Sequence, residues 1–174
     1  HAADFTVNSQ PPSLVSPSAS TTFQVTFDPS AAGLRSAMLG FTHNDADENP
    51  FNFSIQGTGA SVTVTPTAGL VTTEAGGTAT FTVVLDTPPA ANVSIFLDSS
   101  DTTEGTVAPA SLTSTPSNWD TLQVVTVTGV SDGLLDSDIA YTILTAATST
   151  DPVYDGIPVA DVGVTNIDVT GACT

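Results

Sequence analysis

Ala79-Thr80-Phe81-Thr82-Val83-Val84-Leu85 decides the fold class. Apolar side chains stand at 79, 81, 83 and 85, with threonines at 80 and 82 between them. Successive side chains of an extended chain point to opposite faces, so such a run is a strand with one face in a core and the other toward water. The same alternation recurs on both sides of it. Phe23, Val25 and Phe27 flank Gln24 and Thr26, Val93, Ile95 and Leu97 form one row, and Val125 and Val127 form another. Runs over 141–144 and 162–164 complete the set. Asp28-Pro29, Asn49-Pro50, Pro88-Pro89 and Asp132-Gly133 punctuate these runs as turn signals at the spacing of a β-sandwich. Thr, Val, Ser and Ala dominate the composition while long helix formers are scarce, so an all-β chain with almost no helix is expected.

A chain of 174 residues holds one large domain or two small ones, each able to build a core without disulfide staples. The break is expected at Gly57-Thr58-Gly59-Ala60. Most phenylalanines and the single Arg and Met precede it, and a Thr-, Val- and Asp-rich segment follows it. The expectation is two immunoglobulin-like sandwich units in tandem, over 1–59 and 60–174. Cys173 has no second cysteine to pair with and is read as a tail residue. The first residues, His1-Ala2-Ala3-Asp4, lack the basic and apolar regions of a signal peptide, consistent with a leader already removed or with a piece of a longer chain.

Charge narrows the function. One Lys or Arg against 18 Asp and Glu leaves a formal net charge of -17, which repels nucleic acid and anionic membrane surfaces. No stretch approaches the roughly 20 apolar residues of a membrane span, so neither nucleic-acid binding nor membrane insertion is expected. Hydrophobic residues make up 40% of the chain, which argues for folding in spite of the charge. Divalent cations are the natural neutraliser outside a cell, where calcium is plentiful.

Two resemblances sharpen this. Phe23-Gln-Val-Thr-Phe-Asp-Pro-Ser-Ala-Ala-Gly33, Arg35-Ser-Ala, Asn44-Asp45, Asn49-Pro50-Phe51 and Gly57-Thr-Gly59 resemble the C-terminal portion of ASH/Hydin-type immunoglobulin-like domains of bacterial surface proteins, over residues 5–59. Such domains begin with several more strands, so the first unit is expected to be incomplete. Residues 61–169 resemble a Calx-β-like extracellular repeat. Val71-Thr-Thr-Glu74-Ala-Gly-Gly77, Ser99-Ser-Asp101-Thr-Thr-Glu104-Gly105, Pro109-Ala-Ser-Leu112 with Thr115-Pro116 and Trp119, and Val127-Thr-Gly-Val-Ser-Asp132-Gly-Leu-Leu-Asp136-Ser-Asp138 carry the likeness, closed by Val164-Thr-Asn-Ile-Asp168. Two positions depart from it. Ser131 stands where an acid often precedes Asp132, and Ser114 replaces a buried aromatic.

The second resemblance implies calcium, held by Glu74, Asp101, Glu104, Asp132, Asp136 and Asp138, with Asp168 able to join from the C-terminal edge. Each group falls between expected strands, and clustered carboxylates that repel one another would be stiffened by a bound cation. The bland alternative is a set of solvated turn acids, since Asp commonly caps turns. Asp45-Ala-Asp47-Glu48-Asn49 resembles the opening of an EF-hand loop, but Pro50 replaces the required glycine and Gln56 the closing Glu, so it reads as an acidic hairpin turn.

Catalysis finds little support. The histidines are His1 and His43, and His43 sits in the acidic turn with no nucleophile elbow to serve. Carboxylate pairs are plentiful, but one Trp and two Tyr make a poor sugar platform, and Trp119 reads as a cover for the sandwich edge. Asn52-Phe-Ser54 and Asn92-Val-Ser94 fit the glycosylation sequon.

The function expected is a non-enzymatic, calcium-stiffened structural or adhesive module, extracellular or at a cell surface. Its partners would be neighbouring copies of itself or adjacent repeats of a longer chain, with cell-surface or matrix components beyond them. An incomplete first unit could be finished by a neighbour's strands, which repeated head to tail gives a filament built by β-strand complementation. The alternative is a carbohydrate- or ligand-binding accessory sandwich of a larger secreted protein.

Overall fold

The computed structural model describes residues 1–168 except 45, 46, 48 and 135. Cys173, and Asp45 and Glu48 of the acidic turn, lie outside the described residues. Thirteen strands and one 3-10 turn, Ala2–Asp4, account for the regular structure described, so the all-β class expected from composition is what forms. The chain folds as two compact units, His1–Ala60 and Ser61–Thr174.

The first unit holds β1 (Phe5–Ser9), β2 (Gln24–Phe27), β3 (Gly33–Phe41) and β4 (Phe51–Gly59). β1 pairs with β2 and β3 with β4, both antiparallel, as two separate two-stranded sheets. The alternation read at 23–27 gives β2 one half-buried face, with Val25 and Phe27 inward and Gln24 and Thr26 outward. Phenylalanines supply what core there is. Phe5 packs on Phe27 with ring centroids 4.8 Å apart, and Phe41 meets Phe23 edge-on at 5.3 Å and Phe53 at 5.7 Å. Among the described residues of this unit no hydrophobic side chain is fully buried. Two two-stranded ribbons have too little area to exclude water from either side of such a cluster.

The second unit is a closed two-layer sandwich. One sheet has five strands in the order β10 (Ser111–Ser114), β8 (Val93–Ser99), β12 (Ile139–Ser149), β13 (Val162–Ile167) and β6 (Leu70–Thr73). The other has four, β5 (Val62–Thr65), β7 (Thr78–Leu85), β11 (Gln123–Gly129) and β9 (Gly105–Ala108). Registers place apolar rows opposite one another: Phe81 faces Val125, Ile95 faces Ala147, and Tyr141 faces Val164. A slip of one residue would turn each row to solvent, so burial and register enforce each other. Phe81, Val83, Leu85, Val93, Ile95, Val125, Val127, Ile143 and Val162 are almost wholly buried, and each contributes about 1.5–3 kcal/mol of transfer free energy. Ser114 also faces inward, and the Gln123 side-chain amide donates to its hydroxyl at 2.9 Å. The hydroxyl missing an aromatic's bulk is thus hydrogen-bonded rather than left bare.

The inward rows change character toward one end. Following Leu70 on β6 comes buried Thr72, and following Val164 on β13 comes buried Asn166. These two are register partners of the parallel β13–β6 pair. The apolar core therefore ends in a polar layer, and the acidic loops stand over it.

A candidate cation site

Glu104 occupies the loop between β8 and β9, and the loop between β11 and β12 carries Asp132, Asp136 and Asp138. The two loops meet because β9 pairs with β11, bringing Gly105 opposite Gly129. The backbone N–H of Val130 then donates to the Glu104 carbonyl at 2.9 Å. Glycine is needed at both positions. A side chain on Gly105 would collide with the Tyr141 hydroxyl, and one on Gly129 with the Thr73 carbonyl and the Asn166 amide oxygen.

This pairing gathers three of the six acids proposed from the sequence. Glu104, Asp132 and Asp136 each offer a carboxylate oxygen, all within 4.8 Å of one another. Glu104 is only 4% exposed, whereas Asp132 and Asp136 are on the surface. Oxygens about 2.4 Å from a common ion span at most about 4.8 Å, so the spacing suits a calcium ion between them. An all-oxygen set with no His or Cys is the donor chemistry that hard cations prefer.

The remaining three acids do other work in the structure. Asp101 folds onto its own turn, accepting the Thr103 N–H at 3.0 Å and the Thr103 hydroxyl from its side chain. The hydroxyl bond and then the N–H bond hold its carboxyl below the usual range against the opposing effect of burial. Asp138 accepts the backbone N–H of Asp168 at 3.3 Å. Glu74 lies in the turn after β6 at the same end of the sandwich, where its N–H donates to the Ile167 carbonyl at 3.1 Å, but its carboxylate is outside the group of three.

Asp168 belongs to the neighbourhood as well. Its Oδ2 accepts the Ser137 N–H at 3.3 Å, which ties the β11–β12 loop to the end of β13, and its Oδ1 is buried with no hydrogen-bond partner among the described residues. A buried carboxylate oxygen left without a donor is costly unless something positive completes it.

Asn166 and Thr72 were not singled out from the sequence, though a signal existed. Val162, Val164 and Asn166 share one face of β13, as Leu70 and Thr72 share one of β6. A polar residue continuing a buried row must find partners inside. Asn166 donates from Nδ2 to Glu104 Oε2 at 3.1 Å and to the Val130 carbonyl at 3.0 Å, and accepts the Thr72 hydroxyl at Oδ1, 3.0 Å away. Tyr141 lies 3.2 Å from the same Thr72 hydroxyl, and its phenol is pushed up in pKa first by burial and also by the Glu104 charge. Elsewhere, His43 takes part in the turn of the first unit, its N–H donating to Asn49 Oδ1 at 3.1 Å. Trp119 is half-buried beside β7, its carbonyl accepting the Leu85 N–H at 3.2 Å.

No protein-family model matches the chain, and no curated protein matches it. Solved structures do. A periplasmic chaperone, SfaE, is similar over 66% of this chain at 10% identity with a TM-score of 0.49, and the match spans 59% of the chaperone's own length. The apo-form Calx CBD1 domain is similar over 63% of this chain and 97% of its own, at 16% identity with a TM-score of 0.49. Domains 4 and 5 of the S-layer protein SbsC match 84% of this chain and 70% of theirs at 19% identity and a TM-score of 0.36. No helix among the described residues is long and apolar enough to cross a membrane.

Proposed function

We propose that this chain is a non-enzymatic extracellular structural module whose second unit is stiffened by calcium. The observation that carries the reading is the convergence of Glu104, Asp132 and Asp136 within 4.8 Å in a chain of net charge -17. Three carboxylates that close repel one another in the absence of a cation and bind one in its presence. The Asp168 carboxylate, bonded to the same loop through Oδ2 and with a buried Oδ1 that has no hydrogen-bond partner among the described residues, supports the same ion or a second one beside it. Binding would fasten the β11–β12 loop to buried Glu104 and, through Ser137 and Asp138, to Asp168. The stiffened part is therefore the end where β13 finishes. Ser61 lies at the other end of the unit, where its carbonyl accepts the Asp86 N–H beyond the last residue of β7.

A thermal melt followed by Trp119 fluorescence, with about 10 mM calcium, the same magnesium, or chelator, tests this. For a site near 0.1 mM the expected gain is about 2.7 kcal/mol with calcium, a rise of several degrees in midpoint. Magnesium should give little, because it demands a tighter octahedral cage than an exposed loop offers. Equal midpoints in calcium and chelator would remove the proposal.

A second reading concerns assembly, and the first unit favours it. Among the described residues its two ribbons leave backbone edges unpaired and no hydrophobic residue fully buried, with Leu34, Met38 and Phe51 more than half exposed. Strands from an adjacent repeat or another copy would pair with those edges by β-strand complementation. Sedimentation in calcium at several concentrations separates the cases. Long, heterogeneous species support a filament, and a 17.5 kDa monomer at every concentration rules it out for this chain.

A further inference from the structure

The interior under the cation site contains a hydrogen-bond chain with a single direction. The Thr72 hydroxyl has one proton and gives it to Asn166 Oδ1, so toward Tyr141, 3.2 Å away, it can only accept. Tyr141 therefore donates to Thr72, Thr72 to Asn166, and Asn166 to Glu104. The orientation of the Asn166 amide is forced. Turned over, its oxygen would face the Glu104 carboxylate and the Val130 carbonyl, two acceptors, and both would lose their donor. Every member is buried: Tyr141 is 5% exposed, Thr72 0%, Asn166 1% and Glu104 4%. Such a chain, donors all pointing one way, ends on the group that carries negative charge and fixes it in place.

We propose that Asn166 is the positioning residue of the cation site, holding the Glu104 carboxylate where the loop acids Asp132 and Asp136 can meet it. The inference rests on the calcium reading above and adds to it a division of labour. The rigid sandwich supplies one preset ligand from below, and the exposed β11–β12 loop brings the others down onto it. Asn166 is built for this by its place on β13, at the last buried position of the strand. It is locked from both sides, by Thr72 on β6 and by the Val130 carbonyl that follows β11. Partners of this kind, one bond removed from the metal, typically change affinity by about 10–100-fold when lost.

Calcium titration of the full chain by calorimetry tests it, on the wild type, Asn166→Leu, Glu104→Gln and the double variant, with Ser114→Ala as a control for loss of buried bonding away from the site. Asn166→Leu should weaken calcium binding at least about tenfold. It should add little further loss on top of Glu104→Gln, because its effect runs through that carboxylate. Ser114→Ala removes a buried hydrogen bond to Gln123 at the opposite end of β8 from the site and should lower the calcium-free melting point while keeping affinity within a few-fold of wild type. If Asn166→Leu does not fold, Asn166→Ser, which is smaller and cannot reach Glu104, carries the same expectation. A wild type that binds no calcium overturns the site and this inference together. A wild type that binds, with Asn166→Leu binding equally well or losing as much affinity in the Glu104→Gln background as alone, overturns the positioning role only.

Discussion

Arg35 Nε donates to Asp4 Oδ2 across 2.6 Å, joining the chain's one Lys or Arg to a carboxylate that is 1% exposed. The pair ties the 3-10 turn Ala2–Asp4 to β3, and Ser30 adds its N–H to Asp4 Oδ1 at 3.0 Å.

The bond to Arg35, then the bond to Ser30, lowers the Asp4 carboxyl from 3.8 to about 2. A carboxyl whose folded value lies below its unfolded one contributes stability that is present above about pH 4 and lost as pH falls through about 2. The first unit should therefore keep the link between its 3-10 turn and β3 at pH 4 and release it near pH 2. The Ser30 amide and Arg35 Nε–H resonances, followed by NMR over that window, should shift together with one midpoint near 2; a midpoint near 4 would show that the pair does not hold in solution.

Trypsin has one site in this sequence, after Arg35. That residue lies within β3, paired with Gly57 of β4, so the protease can act only when the strand leaves its partner. Cleavage should be slow and give fragments of residues 1–35 and 36–174. Asp4→Asn should accelerate it several-fold, as read by mass spectrometry over a time course. Equal rates for the two proteins would mean that the ion pair does not guard the strand.

Gly105→Ala should cost the second unit about 1–3 kcal/mol, because the added methyl meets the Tyr141 hydroxyl and ring inside a packed layer. Urea denaturation followed by Trp119 fluorescence measures it. Tyr141→Phe should itself cost about 1 kcal/mol through the lost bond to Thr72. Combined with Gly105→Ala, it should lose less than the sum of the two, since the hydroxyl is part of the collision.

Ile143→Ala should destabilise the second unit by about 2–5 kcal/mol, for Ile143 is 0% exposed between β8 and β13. Phe41→Ala removes a larger side chain from the first unit but a half-buried one, so its effect on that unit should be the smaller of the two. Calorimetry of both variants provides the comparison.

Strand identity was legible where burial was deep. The rows at 79–85, 93–97, 125–127 and 162–164 alternate cleanly because each lies in the middle of a sheet and faces a full core. The four-residue strands β6, β9 and β10 gave no comparable pattern, and β5 shows one only over Val62 and Val64. A strand of that length shows two inward residues at most, and in β6, β9 and β10 one of those is polar or glycine, as with Thr72, Gly105 and Ser114. In the site, the acids were visible as residues between strands, but Asn166 and Thr72 were not, since their partners lie on other strands.

The sequence by itself determined that this chain is all-β, highly acidic and nearly without Lys, Arg and His, because alternation, turn residues and charge are local properties of the chain. Only the tertiary structure decided which acids meet. Glu104 joins Asp132 and Asp136 because β9 pairs with β11, Asp101 stays out because its own turn offers it two donors, and Asn166 reaches Glu104 across the sandwich. Those distances depend on which strands pair and in which register, and pairing is settled by packing the whole core rather than by any one segment.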